Sequence, residues 1–180
     1  AARRGRGNMP RKGQEIAYKM KVDFLDAARG LEKTDNLGTK SINVKIPAGT
    51  QNGQTLRLKG LGGEGLNGGA NGDVLITVSV DEHPYFKADD KNILLDLPIS
   101  VKEAISGAKI VVPTITGKVM LTVPPFSSGG DKMRLKGQGI KTKSGTGDEI
   151  VTLQIMLPKR KDAALAELAD KMENYAVRSF

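Results

Sequence analysis

Two stretches of the chain decide its fold: INVKIPAGTQNGQTLRLKGLG at residues 42–62 and VMLTVPPFSSGGDKMRLKGQG at residues 119–139. Both run from an alternating apolar segment through a proline and a glycine turn to the shared letters Leu-Lys-Gly. Pro47 of the first stretch aligns with Pro124 of the second, 77 positions later. Self-similarity over so many letters indicates that the chain repeats one structural plan.

The similarity continues on both sides of these stretches. Upstream, FLDAARG at residues 24–30 aligns with VKEAISG at residues 101–107, again 77 positions apart. Downstream, GDVLITVSV at residues 72–80 aligns with GDEIVTLQI at residues 147–155, at an offset of 75. Because one spacing persists through separate blocks, with only two residues lost from a loop, we infer an internal duplication.

Each copy has a readable pattern of strands and one short helix. Alternation of apolar and polar residues at 42–46 and at 119–123 predicts strands with one buried face. Strands are also predicted at residues 55–58, 132–135, 74–80 and 149–157. Ser100 and Glu103 form a capping-box pattern before Gly107, which predicts a helix of a turn or little more; Asp23, Asp26, Ala27, Ala28 and Gly30 repeat this pattern in the first copy.

We therefore predict a mainly β fold with two tandem, homologous, β-sandwich-like domains, each with a short helix, followed by a C-terminal helix. The predicted segments are a flexible basic linker end at 1–12, a first domain at 13–84, a second domain at 85–158 and a terminal helix at 159–180.

Composition excludes several classes of protein. The absence of cysteine excludes disulfides, thiolate zinc sites and cysteine nucleophiles. No apolar run approaches the roughly 18 residues of a membrane span, and the N-terminus lacks an apolar signal core, so we expect a cytoplasmic protein without a membrane partner.

Of the net charge of +8, five positive charges without any acid lie in residues 1–12. Aromatic residues make up only 4% of the chain, so the arm lacks the aromatic side chains on which bases stack. We therefore interpret it as a solvated tail in preference to a nucleic-acid-binding segment.

Two motifs that suggest chemistry do not support a catalytic site. GLGGEG at residues 60–65 has the letters of a dinucleotide fingerprint, but LNGGANGD follows it and cannot form the helix that such a site needs. His83, the one histidine, precedes a proline between the two copies, without an identifiable nucleophile or orienting partner. We expect a mobile glycine loop, a structural histidine, no enzyme activity, no catalytic residue, no metal site and no cofactor.

The C-terminal segment predicts an amphipathic helix with Asp162 as its N-cap. Leu165, Leu168, Met172 and Tyr175 follow at helical spacing and give one apolar stripe. A helix this short is marginal in water unless it docks, so the stripe packs either on the second domain or on a twin chain.

The first strand, at residues 15–22, is the best candidate for a binding site. Ile16, Tyr18, Met20 and Val22 share one face, and for two of the four a plain core role is expected. If the strand lies at a sheet edge beside an apolar groove, an extended peptide can add to it as a further strand. Lysines on the opposite face would discourage self-pairing and attract acidic peptides.

The sequence closely resembles the C-terminal peptide-binding region of DnaJ-type J-domain co-chaperones. The resemblance is carried by VDFLDAARG at 22–30, VKIPAGTQNGQTLRLKGLG at 44–62, GDVLITV at 72–78, HPYF at 83–86, LPISVKEAISGAKIVVPT at 97–114 and MRLKGQG at 133–139. Because no paired CxxC motifs follow Gly30, the chain is similar to the zinc-free class. Its IPAG and LKGLG motifs are most similar to those of the bacterial curved-DNA-binding co-chaperones. The family's J domain is absent, since His83-Pro84 is followed by Tyr85, so the resemblance implies a piece of a longer protein.

This resemblance implies a non-enzymatic binding function. The first domain is expected to hold exposed hydrophobic stretches of unfolded proteins, and in some members the acidic C-terminal tail of a DnaK-type chaperone. The implied groove residues are Ile16, Tyr18, Met20, Leu31, Lys33 and Ile76. Asp35 departs from the apolar residue that relatives often carry at the far end of the groove. The family also dimerises through its C-terminal segment, which favours the Leu165–Tyr175 stripe as the contact. The alternative function is DNA binding at the nucleoid through the basic N-terminal arm and the dimer surface.

Overall fold

The computed structural model describes residues 9–38 and 40–180. Arg3, Arg4 and Arg6 of the predicted linker lie outside the described residues. No described helix has the length and apolar character needed to cross a membrane.

The first copy forms a three-stranded sheet facing a two-stranded hairpin. Its elements in chain order are β1 (Ile16–Val22), α1 (Phe24–Arg29), β2 (Leu31–Leu37), β3 (Lys40–Ile46), β4 (Thr55–Leu58) and β5 (Val74–Val80). The sheet order is β1-β5-β4, with β1 parallel and β4 antiparallel to β5, while β2 and β3 form the hairpin. The helix connects the sheet to the hairpin, so both can close over one core.

The second copy repeats this arrangement and confirms the duplication. Its elements are β6 (Phe86–Asp89), β7 (Asn92–Ser100), α2 (Val101–Ser106), β8 (Ala108–Thr114), β9 (Gly117–Val123), β10 (Lys132–Leu135), β11 (Lys141–Thr142), β12 (Gly145–Thr146) and β13 (Glu149–Met156), followed by α3 (Ala163–Asp170). Strand β7 is parallel to β13, as β1 is to β5. The sheet order β10-β13-β7-β6 contains one strand more than the first copy, because β6 pairs with the outer edge of β7.

The alternation in the deciding stretches produces the predicted buried faces. Ile42, Val44 and Ile46 are buried, and the strand ends before Pro47. Full burial of one such aliphatic side chain contributes about 1.5–3 kcal/mol to folding, so rows of them account for a core with few aromatic rings. The predicted β-rich fold is therefore confirmed.

The two short helices differ in how they begin. Glu103 N–H donates to the Ser100 hydroxyl at 3.1 Å, and Ser100 N–H donates to the Glu103 carboxylate at 2.9 Å, which confirms the capping box. Asp23, at the matching position of the first copy, makes no side-chain cap hydrogen bond. Gly107 has φ 73° with an extended ψ of 161°, a conformation open to glycine, and the chain turns there directly into a strand.

The glycine loop packs closely against the N-terminal segment. Gly63 N–H donates to the Gln14 carbonyl at 2.9 Å, and Arg11 exchanges two backbone hydrogen bonds with Leu66 at 2.9 Å each. A Cβ on Gly13 would stand 1.8 Å from the Gly63 carbonyl oxygen, so these backbones can meet only because side chains are absent. The loop therefore joins residues 11–14 to the first domain, and Arg11, assigned by the sequence to the linker, pairs with it.

The two domains share packing through α1. Ala28 belongs to the core of the second domain, and Phe24 packs against that core. The His83 ring lies 5.6 Å from the Phe24 ring and 4.8 Å from the Phe86 ring, and its Nδ1 accepts backbone N–H groups of Tyr85 and Phe86 at 3.3 Å each. Burial lowers the pKa of His83, which keeps the ring neutral and available as this acceptor. These contacts give His83 a structural role.

The C-terminal helix is shorter than the apolar spacing predicts. Leu165 N–H donates to the Asp162 carboxylate at 3.0 Å, which confirms the N-cap. The helix ends at Asp170, so Met172 and Tyr175 lie beyond it and the prediction of one four-residue helical stripe is wrong. A helix of eight residues has few internal hydrogen bonds and needs tertiary packing to grow longer. Residues 171–180 are exposed, so they lack the packing that would continue the helix.

Candidate functional site

Strand β1 has one paired edge and one open edge. Ile16 N–H donates to the Asp73 carbonyl and Asp81 N–H donates to the Val22 carbonyl, both at 3.0 Å, which sets the parallel register with β5. In such a ladder alternate residues turn their backbone groups the other way, so those of Ala17, Lys19 and Lys21 point to the far edge. Among residues 9–38 and 40–180, no strand pairs with that edge.

The inward side chains of β1 become more buried along the strand. Ile16 and Tyr18 are half-buried, whereas Met20 and Val22 are each 4% exposed. Ile76, on β5 beside Tyr18, is 0% exposed. Of the predicted groove residues, Met20 and Ile76 thus lie in the core, whereas Ile16 and Tyr18 present apolar surface.

Strand β2 supplies the facing wall. Leu31, Lys33 and Asp35 pair with core-facing residues of β3 and therefore share the inner face of the hairpin. Leu31 is half-buried against the core, Lys33 is exposed and Asp35 is half-buried. The Tyr18 hydroxyl lies 3.8 Å from the position of a Cβ on Gly38, at the end of β2. The Tyr18 side chain therefore reaches from β1 to the hairpin.

Three exposed lysines lie on β1 and β2. Lys19 and Lys21 are exposed on the outer face of β1, and Lys21 lies 3.6 Å from the Asp81 carboxylate. In the part of the chain that the structure describes, neither Lys19 nor Lys33 forms an ion pair. Lys19 and Lys33 therefore carry positive charge that no described acidic side chain pairs with.

Sequence analysis missed an apolar patch on the second domain, here named the distal patch. Its exposed residues are Ile105, Phe126, Ile155, Met156 and Leu157. Phe126 is 83% exposed at φ 55°, a left-handed conformation that favours glycine, and its counterpart in the first copy is Gly49. That replacement of glycine by phenylalanine at a repeated turn was the available signal in the sequence.

The distal patch continues toward the terminal helix. Leu165 and Leu168 line a shallow hollow of about 680 Å³ together with Val101, Met156 and Leu157. Leu168 is 60% exposed, so α3 covers this apolar surface incompletely. Met172 and Tyr175 are exposed, at 59% and 69%.

One acid is enclosed in the second domain, away from the groove. Glu149 is 0% exposed, and neither of its carboxylate oxygens has a hydrogen-bond partner. Burial raises its pKa to about 7. The described residues contain no group of three or more histidines and acids that could hold a metal ion, so Glu149 is an isolated buried carboxyl. The first copy has Val74 at the matching position.

Comparison with known proteins assigns the family. A model of the DnaJ C terminal domain matches residues 16–158, which includes every strand of both domains. The chain belongs to the DnaJ C-terminal domain family. This DnaJ C-terminal region is 36% identical over 184 residues to a curved DNA-binding protein of Pseudomonas syringae pv. tomato, covering 94% of the chain and 59% of the relative.

A second group of relatives agrees with this assignment. Curved DNA-binding proteins of Salmonella paratyphi B and Salmonella newport are each 41% identical over 143 residues, covering 77% of the chain and 47% of the relative. The chain spans about half the length of the curated relatives it matches. The resemblance inferred from the sequence is thus confirmed.

Proposed function

We propose that the groove between β1 and β2 binds extended hydrophobic segments of unfolded proteins by strand addition. The observation that carries this proposal is the coincidence of an unpaired backbone edge on β1 with the half-buried side chains of Ile16 and Tyr18. An added strand would satisfy the outward N–H and C=O groups and cover the apolar row at once. Backbone hydrogen bonds are indifferent to side-chain identity, which suits a protein with many clients.

The chemistry of the groove also suits a second ligand. Exposed Lys19 and Lys33 would attract an acidic segment, and family membership makes the acidic C-terminal tail of a DnaK-type chaperone the natural candidate. In this proposal the intact protein works in the cytoplasm, holding clients without a cofactor and delivering them to that chaperone.

We further propose that two copies associate through the distal patch and α3. Leu165 and Leu168 line one hollow with Met156 and Leu157 of the distal patch, and exposed apolar surface of this kind is typical of protein interfaces. A dimer presents two grooves, so avidity would strengthen weak binding at each. Sedimentation of Leu168→Asp tests this: a halved mass supports the contact, and an unchanged dimer mass contradicts it.

The groove is tested by the fluorescence anisotropy of a labelled extended peptide that carries apolar and acidic residues. Tyr18→Ser should weaken binding about tenfold, since removal of a central interface aromatic typically costs more than 1 kcal/mol. Lys33→Glu should weaken it in a salt-dependent manner. Lys45→Glu is the matched control, because Lys45 lies exposed on the outer face of the same hairpin. Equal affinity of Tyr18→Ser and the wild type would refute the groove.

DNA binding is the second candidate function, favoured by the names of the relatives and by the five cations in residues 1–12. If the arm contacts phosphates, duplex affinity should fall steeply with salt, and removal of residues 1–12 should flatten that dependence. A salt-independent titration would exclude phosphate contacts.

A further inference from the structure

The second domain contains its own example of an added strand. Strand β6 runs antiparallel along the outer edge of β7, with Phe86 opposite Leu95, Lys87 opposite Leu94 and Ala88 opposite Ile93. By the duplication, β7 is the counterpart of β1, and this is the edge that remains open in the first domain. In this fold, the outer edge of the strand at this position can therefore pair with an antiparallel strand.

Burial shows what the added strand covers. In the second domain Ile93 is 0% and Leu95 is 4% exposed. Their counterparts, 77 positions earlier, are Ile16 and Tyr18, and both are only half-buried. The two residues left partly exposed on β1 are therefore those whose counterparts lie opposite β6.

We propose that a client segment occupies on β1 the place that β6 occupies on β7. This inference rests on the proposed peptide-binding function and specifies its polarity, register and side-chain preference. The segment runs antiparallel to β1, with a large apolar or aromatic residue opposite Tyr18 in the place of Phe86. Two residues later a small apolar residue lies opposite Ile16, in the place of Ala88.

Charge specifies a further position. The residue before the aromatic one lies opposite Lys19 and, since paired residues share a face, projects beside its exposed side chain. An acidic residue is therefore favoured there, whereas the residue opposite Ala17 projects outward and is free to vary. The preferred segment has the order acidic, aromatic, any residue, small apolar.

The inner wall of the groove adds to this preference. The first domain carries Lys33 and Asp35 where the second has Ile110 and the fully buried Val112. These polar groups leave the groove less completely apolar than the core that encloses Phe86. An aromatic residue with a polar tip, such as tyrosine, is therefore accepted opposite Tyr18 as well as phenylalanine.

Disulfide trapping tests the register, because the chain contains no cysteine of its own. Ala17→Cys is combined with peptides of the order Glu-Phe-Cys-Ala, in which the cysteine follows the aromatic residue and lies opposite position 17. Thr34→Cys, exposed on β2, is the matched control for addition at the hairpin. We expect Ala17→Cys to trap this peptide at least tenfold faster than Thr34→Cys does, and tenfold faster than it traps the reversed sequence.

The outcomes separate this inference from the proposed function. If the wild type binds the peptide saturably but only Thr34→Cys traps it, the groove stands and the β6-like register is wrong. If the reversed sequence is trapped equally well by Ala17→Cys, the polarity is wrong. If no saturable binding occurs to the wild type, the proposed function itself fails. Replacement of the peptide phenylalanine by alanine should weaken binding about tenfold, and an unchanged affinity would contradict the aromatic preference.

Discussion

Replacing Glu149 with valine, the residue of the first domain at this position, should change how stability depends on pH. Glu149 has no hydrogen-bond partner in its enclosed site, and burial raises its pKa from 4.5 to about 7. The folded state therefore keeps a proton that the unfolded state releases between these two values. Stability conferred by the proton is complete below pH 4.5 and is lost as the pH rises toward 7.

The magnitude follows from the width of that interval. One pH unit corresponds to about 1.4 kcal/mol, so the free energy of unfolding of the wild type should fall by about 3 kcal/mol from pH 4 to pH 8 through this group. Glu149→Val should lack this fall, and its stability relative to the wild type should rise by the same amount over the same range. The smaller valine side chain can leave a cavity, but the destabilisation that a cavity causes does not depend on pH. It therefore does not affect the predicted change in the stability difference with pH.

Urea unfolding followed by circular dichroism from pH 4 to pH 8 measures this difference. Glu32→Val is the control, since Glu32 is exposed on β2 and should leave the pH dependence unchanged. A constant stability difference between Glu149→Val and the wild type at all pH values would mean that Glu149 has the same pKa in the folded and unfolded states, which contradicts the prediction.

Three further substitutions test the distal patch, the groove and the carboxylate of Asp148. Phe126→Asn, which retains a residue tolerant of φ 55°, should weaken self-association at least tenfold in sedimentation without lowering the thermal midpoint of the monomer; an unchanged association would remove Phe126 from the interface. Asp35→Val, matching Val112, should increase affinity for apolar peptides several-fold by anisotropy, and a decrease would mean that the Asp35 carboxylate contacts the peptide. Hydrogen bonds from Gly137 N–H and Arg134 lower the pKa of Asp148, so the stability that its carboxylate provides is complete well above pH 3.8 and is lost as the pH falls through the lowered pKa; Asp148→Asn should be less stable than the wild type at pH 7, and an acid titration should show this difference shrinking below pH 3.8.

The strands, the turn and the helix cap could be predicted from short sequence patterns, because each is determined by residues close together in the chain. Alternation at Ile42, Val44 and Ile46 predicted a buried face, and Gly53, at φ 83°, forms the glycine turn that was expected after Pro47. The capping box at Ser100 needed only residues within one turn of helix. Such features can be predicted from the sequence because interactions between residues a few positions apart stabilise them.

Edges and ends were not predictable in the same way. The four-residue β6 carries little periodicity, and its pairing with β7 depends on a reversal at Asp90, which has φ 52°. The burial of Met20 and Ile76 depends on how closely the hairpin closes over the sheet, a property of tertiary packing. Apolar spacing at Leu165 to Tyr175 predicted one helix, but the helix ends where tertiary contacts cease.

Hydrogen exchange at the open edge of β1 is the most direct test of strand addition. Addition of a saturating Glu-Phe-x-Ala peptide should slow exchange at the amides of Ala17 and Lys19 at least tenfold, because these N–H groups become hydrogen-bonded to the added strand. Leu94, whose edge already pairs with Lys87 of β6, should not change. Unchanged exchange at Ala17 and Lys19 in the presence of bound peptide would contradict strand addition at β1.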